Sequence, residues 1–176
     1  MKQGFLNSEL AAQARAFRCP RWAQLPSIDL YVDQVTGYVN DIFSPLNLQA
    51  EEKMLTKAMV NNYVKLRVMS APQNKKYSRQ HMAYLIAICA LKQVFSIPEI
   101  AQLIQSQISH CPVEQAYDLF CDELEAALAQ AFGGEDAPHP LPENEAALML
   151  WRTAQCCAHK EYIQKRLAFE ALPETE

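Results

Sequence analysis

The chain has 176 residues, half of them of core-forming types, a formal net charge of −4 and only four glycines. That length supports one ordinary domain or a small domain with a helical appendage. The scarcity of glycine excludes a Gly-rich phosphate loop, and no run approaches the roughly 20 apolar residues of a membrane span.

The longest apolar run, Met82–Leu91, is interrupted by Tyr84 and bounded by His81 and Lys92, which reads as a buried helix. No basic patch followed by an apolar segment opens the chain, so the cytoplasm is the expected compartment. The six cysteines form no Cys-x-x-Cys pair and are expected as thiols in a reducing environment.

In chain order, residues 1–19 predict a short amphipathic helix, with Ser8 as N-cap and Leu6, Leu10, Ala14 and Phe17 sharing a face. After Pro20 and Pro26, Ser27 is the expected cap of a second helix, whose positions Ile28, Tyr31, Val32, Val35, Tyr38, Val39 and Ile42 follow a helical rhythm. Ser44-Pro45 ends it, and a polar connection leads to Thr56, the predicted cap of a helix over 56–66 with Met59, Val60, Tyr63 and Leu66 facing inward. Val68–Tyr77 reads as a loop or small hairpin.

Ser78 and Ser96 are the expected caps of two further helices, the second with Pro98 and Glu99 in its first turn. Pro112 opens a helix to about Phe132, stopped by Gly133-Gly134. A Pro-rich linker follows, and a long helix is expected from Glu143 to Leu172, with Ala147, Leu150, Trp151, Ala154, Ala158 and Tyr162 packing on the preceding helix or forming a dimer seam.

Charge is unevenly distributed. From Lys53 to Pro98 there are eight basic residues, Lys53, Lys57, Lys65, Arg67, Lys75, Lys76, Arg79 and Lys92, and no acidic one. Residues 99–176 hold fourteen acidic side chains against four basic. A cationic middle segment beside an acidic remainder is the footprint expected of a protein that meets a polyanion on one side. On the 56–66 helix the outward positions are Lys57, Ala58, Asn61, Asn62 and Lys65. Asn can pair with adenine, Lys can reach guanine or phosphate, and Ala leaves room for a thymine methyl. Lys75, Lys76 and Arg79 follow closely enough to clamp the flanking backbone.

Leu55–Ile104, LTKAMVNNYVKLRVMSAPQNKKYSRQHMAYLIAICALKQVFSIPEIAQLI, resembles the DNA-binding domain of the mercury-resistance-regulator (MerR) family. The matching positions include Leu85, Ile88, Leu91, Lys92, Phe95, Ser96, Glu99 and Ile100. The chain is also similar, from about Leu25, to an uncharacterised bacterial family of unknown function usually assigned to the helix-turn-helix superfamily. Asn61 and Asn62 replace an Arg and a Tyr of the MerR recognition helix, Arg67 stands where a turn Gly is usual, and Val94 replaces a Gly.

The resemblance implies an all-α fold: a winged helix-turn-helix core over 25–110 with a small hairpin wing, an N-terminal helical extension over 1–24, and a C-terminal dimerisation or sensing region over 111–176. Lys75-Lys76-Tyr77-Ser78 falls on the wing, which adds Tyr77 to the implied contacts. The expected DNA-binding set is therefore Lys57, Asn61, Asn62, Lys65, Lys75, Lys76, Tyr77 and Arg79.

The expected function is DNA-binding transcriptional regulation, with double-stranded DNA and a second copy of the chain as partners and no membrane. The alternative is a non-enzymatic protein-interaction or ligand-sensing module on the same scaffold. No catalytic set is legible and no cofactor is expected. Cys156 and Cys157 point about 100° apart on a helix and His159 sits two residues on, a poor arrangement for one metal ion.

Overall fold

The computed structural model describes residues 2–48, 52–133, 142 and 144–173. Among them are seven α-helices and one two-stranded antiparallel sheet: α1 (Glu9–Ala16), β1 (Leu30–Tyr31), α2 (Val32–Phe43), α3 (Lys57–Lys65), β2 (Lys76–Tyr77), α4 (Arg79–Leu91), α5 (Ile97–Ile108), α6 (Val113–Ala131) and α7 (Glu145–Ala171). The expected linker lies outside the described residues except for Pro142, as do Gly134 and Glu143.

The caps follow from local chemistry. Ser8 Oγ accepts from the Ala11 N–H, Thr56 Oγ1 from the Met59 N–H, and Asn144 Oδ1 from the Ala147 N–H. Each satisfies a donor that the first helical turn leaves without a partner. Glu99 reaches back to the Ser96 N–H at 2.7 Å, and the His81 ring does the same for Ser78 at 3.0 Å. At the end of α6 the chain turns through Gly133, at φ +83°.

The second helix starts later than its apolar rhythm predicts. Ser27 does not cap it; the helix begins at Val32, because Leu30 and Tyr31 pair with Tyr77 and Lys76 as a strand. Ile28 and Tyr31 are correspondingly 69% and 53% exposed. Residues 2–19 hold a short 3-10 turn (Phe5–Asn7) and an eight-residue helix rather than one continuous helix.

One hydrophobic core runs through all the elements, from Phe5 to Ala158. α6 and α7 run side by side in the same sense: Phe120 lines a common cavity with Leu150 and Thr153, while Phe132 meets Tyr162 with ring centroids 5.4 Å apart. Leu150, Ala154 and Ala158 are buried in that seam. The N-terminal segment is strapped across α6. Cys19 N–H donates to Glu125 at 2.8 Å, Trp22 N–H to Asp118 at 2.6 Å, and Tyr117 Oη to the Pro20 carbonyl at 2.8 Å. Arg21 engages both Glu125 and Asp122, which raises its already high pKa further. Phe5 closes the far end against Phe132, Tyr162 and Phe169.

Candidate nucleic-acid interface

α3 buries one stripe and displays the other. Val60 and Tyr63 are in the core with Met59 and Val64 half-buried beside them, whereas Lys57, Ala58, Asn61, Asn62 and Lys65 are all exposed. Burial pushes the Tyr63 hydroxyl up to about 12, so it stays neutral inside.

The helix ends in a Schellman turn. Val68 N–H donates to the Tyr63 carbonyl and Arg67 N–H to the Val64 carbonyl, both at 3.0 Å. Arg67, at φ +56°, occupies the left-handed position that glycine normally fills. Buried Val68 anchors the turn.

The segment entering α3 is fixed by a residue that sequence reading did not single out. Asn40 Nδ2 donates to the Leu55 carbonyl at 2.9 Å and to the Thr36 carbonyl at 2.7 Å, and its Oδ1 accepts the Leu55 N–H at 3.0 Å. Leu55 is fully buried, so its backbone groups have no water to fall back on. The available signal was a polar, weak helix former inside the apolar rhythm of α2. Asn40→Ala is expected to lower stability by about 2 kcal/mol by orphaning both groups, with amide exchange of Leu55 accelerating; an unchanged urea midpoint contradicts the clamp.

The expected hairpin is a tight turn over Gln73–Lys76, closed by Lys76 N–H to the Gln73 carbonyl at 2.8 Å. Both central residues are left-handed, Asn74 at φ +49° and Lys75 at φ +62°, as in a type I′ turn. Beyond it the strand alternates. Lys76 faces Tyr31, with Nζ 5.3 Å from the ring, while Tyr77 opposes Leu30 on the core side. Tyr77 is only 4% exposed and packs on His81 with ring centroids 5.5 Å apart. It is therefore a core residue and not the surface contact the wing resemblance implies, because the period of two that turns Lys76 outward turns Tyr77 inward.

α3 and the hairpin converge on the start of α2. Lys57 Nζ lies 2.5 Å from Asp33 Oδ1 in the first turn of α2, two residues from the Tyr31 that Lys76 covers. Both partners of the Lys57–Asp33 pair are more than half exposed, so it adds little stability. Lys65, Arg67 and Lys75 are exposed as well.

The cationic stretch nevertheless does not lie on one face. Arg79 is half-buried, its guanidinium carbon 5.8 Å from the Trp22 ring centre and its buried Nε without a hydrogen-bond partner. Its position in the first turn of α4 sets it against Trp22 of the N-terminal segment. Lys92 donates to the Met54 carbonyl and lies 3.7 Å from Met59 Sδ, behind α3.

Other chemistry-bearing residues have local explanations. Ser70 Oγ is 3.1 Å from His81 Nε2, but His81 Nδ1 accepts the Ser78 N–H. That fixes the proton on Nε2, so the ring is a donor toward Ser70 and not its base. Burial pushes the Cys89 and Cys157 thiols up to about 12, away from the reactive thiolate. No metal-binding group of His, Cys, Asp and Glu exists among the described residues, and no described helix is long and apolar enough to cross a membrane.

An apolar cavity of about 60 Å³ lies between α4, α5, α6 and the start of α7, well below the volume of a typical small-molecule pocket.

No curated protein and no solved structure matches the chain. A family model does, over residues 20–120, a span that contains β1, β2, α2 to α5 and the whole surface described above. The chain therefore belongs to the family described as Domain of unknown function (DUF1836).

Proposed function

We propose that this protein is a DNA-binding transcriptional regulator of winged helix-turn-helix type, with α3 entering the major groove and the Gln73–Lys76 turn resting on the flanking phosphates. The observation that carries the reading is the outward face of α3. Lys57, Ala58, Asn61, Asn62 and Lys65 form an exposed polar surface on a helix held from behind by Val60, Tyr63 and the Asn40 clamp. Those are side chains that can read base edges.

Two further features support it. The order strand, helix, helix, strand, helix, helix, with β1 paired to β2, suits a wing anchored beside its helix-turn-helix. Arg67 and Lys75 hold left-handed conformations that glycine would occupy without strain, and strain retained at exposed cations points to a use for their charge. A second copy would dock on the outer stripe of α7, where Met149, Ile163 and Leu167 are exposed with Cys156 between them, giving a two-fold pair for a palindromic site.

Lys57, Lys65, Arg67, Lys75 and Lys76 are the available cations. With Lys57 shared with Asp33, about four phosphate contacts per protomer remain, and the log–log dependence of binding on salt should have a slope near −3.6 per protomer. A fluorescence titration on duplex DNA from about 0.05 to 0.3 M salt measures it; a slope near zero rejects the assignment.

A further inference from the structure

The N-terminal strap crosses one stripe of α6, the face that carries Tyr117, Cys121 and Glu125 at successive turns. The crossing is pinned on both sides of Cys121. One turn toward the end of the helix, Glu125 Oε1 accepts the Cys19 N–H at 2.8 Å and the Arg21 guanidinium at 2.6 Å. One turn toward its start, Tyr117 Oη donates to the Pro20 carbonyl at 2.8 Å. Cys19 is thereby set over Cys121, and the two thiols meet in a hydrogen bond. Both are buried and both are free thiols. Cys156 and Cys157, adjacent on α7, point about 100° apart and have no such placement.

We propose that Cys19 and Cys121 are a peroxide-sensitive dithiol that closes to a disulfide and fastens the strap to α6. While the strap is seated, the hydrogen bond with Cys121 and burial hold the Cys19 thiol well above its ordinary range, which keeps it from reacting. Residues 17–21 belong to no helix or strand, so the strap can lift locally while α6 stays folded. Lifted into water, Cys19 regains the thiolate that attacks a peroxide.

The chemistry balances in two steps. The Cys19 thiolate attacks one oxygen of hydrogen peroxide, the O–O bond breaks, and the sulfur becomes a sulfenic acid while the other oxygen leaves and takes up a proton as water. When the strap reseats, the Cys121 sulfur attacks that sulfur and gives up its proton, the S–O bond breaks, and a second water leaves. Two thiols lose two electrons and two protons, and one peroxide is reduced to two waters. The site does not rest on the DNA reading. Trp22 of the same strap lies against Arg79 at the start of α4, so the bridge holds one flank of the helix that follows the hairpin.

The test is oxidation of the folded full chain with hydrogen peroxide, then alkylation of the remaining thiols in denaturant and peptide mass mapping without reductant. Peptides joined through Cys19 and Cys121 should appear within single chains. Because the bridge closes a loop of about 100 residues, the oxidised chain should unfold about 5–15 °C higher than the reduced one, and dithiothreitol should reverse the rise. Arg21→Ala, which releases the strap from Glu125 and Asp122, should speed cross-linking at least about threefold. Cys19→Ser should abolish both the joined peptides and the rise in Tm; should it not fold, the map of the unaltered chain decides. Recovery of Cys19 and Cys121 as alkylated thiols after exposed Cys156 has been consumed overturns the assignment. So does a bridged chain with an unchanged or lower Tm, an unchanged rate in Arg21→Ala, or a Cys19→Ser chain whose Tm still rises.

Discussion

A chain carrying both Arg67→Gly and Lys75→Gly should bind duplex DNA about 60-fold more weakly than the unaltered protein near 0.1 M salt, and yet unfold at the same or a higher temperature. The loss follows from counterion release. With binding falling as the 0.9 power of salt for each neutralised phosphate, one contact is worth about eightfold at 0.1 M, and two multiply to about 60-fold. The slope itself should flatten by about 1.8. The stability gain follows from backbone conformation: φ +56° at Arg67 and φ +62° at Lys75 strain a side-chain-bearing residue by about 1–2 kcal/mol. Glycine relieves that at an entropic cost of about 0.5–1 kcal/mol in the unfolded chain. A net gain of up to about 1.5 kcal/mol per site remains, or at most roughly 3–6 °C in Tm for a chain of this size. Charge loss alone predicts weaker binding, and strain relief alone predicts higher Tm; only a functional cation on a strained turn predicts both. Affinity within threefold of the unaltered protein would place the interface elsewhere and leave the two turns as structural curiosities.

The local grammar was legible where it depends on neighbours in sequence. Thr56, Ser78, Ser96 and Gly133 stand where caps and stops were expected, because capping is decided within one turn of helix. Most of the outward face of α3 could be read for the same reason, from the spacing of Val60 and Tyr63, whereas Leu66, expected inside, caps the helix and is 54% exposed.

What escaped is non-local. Ile28 and Tyr31 fit the rhythm of α2, and only pairing with Lys76 and Tyr77 turns Leu30–Tyr31 into a strand. Counting charges showed eight cations without showing direction. Arg79 and Lys92 are spent on Trp22 and on the Met54 carbonyl, and Tyr77 is spent on the core. The Asn40 clamp bridges fifteen residues and has no signature beyond an awkward amide in a helix. The family match adds extent rather than chemistry, since its model stops at residue 120, short of α7.

The other large effect is expected at Lys165, whose side chain is 1% exposed beside a Glu161 side chain 15% exposed. Desolvation lowers the Lys165 pKa and raises that of Glu161, each partly restored by the other. Lys165→Met removes the cation and leaves Glu161 as an uncompensated buried carboxylate, which should cost about 3–5 kcal/mol where Glu161 is ionised. The sign with pH is fixed by the raised carboxyl. A group whose folded pKa lies above its unfolded one favours the fold most fully below the unfolded value, and that contribution is lost as pH rises through the folded value. Removing the neighbouring ammonium raises the folded value further, so the penalty of Lys165→Met should be small near pH 5 and approach its full size near pH 8. Adding Glu161→Gln to Lys165→Met should recover most of the loss at pH 8, because a neutral amide beside methionine carries no buried charge to desolvate. Urea titrations of the three chains at the two pH values measure all of this through the midpoint at constant m. Equal destabilisation by Lys165→Met at both pH values would mean that the loss comes from packing and from the Pro45 contact, with Glu161 neutral throughout.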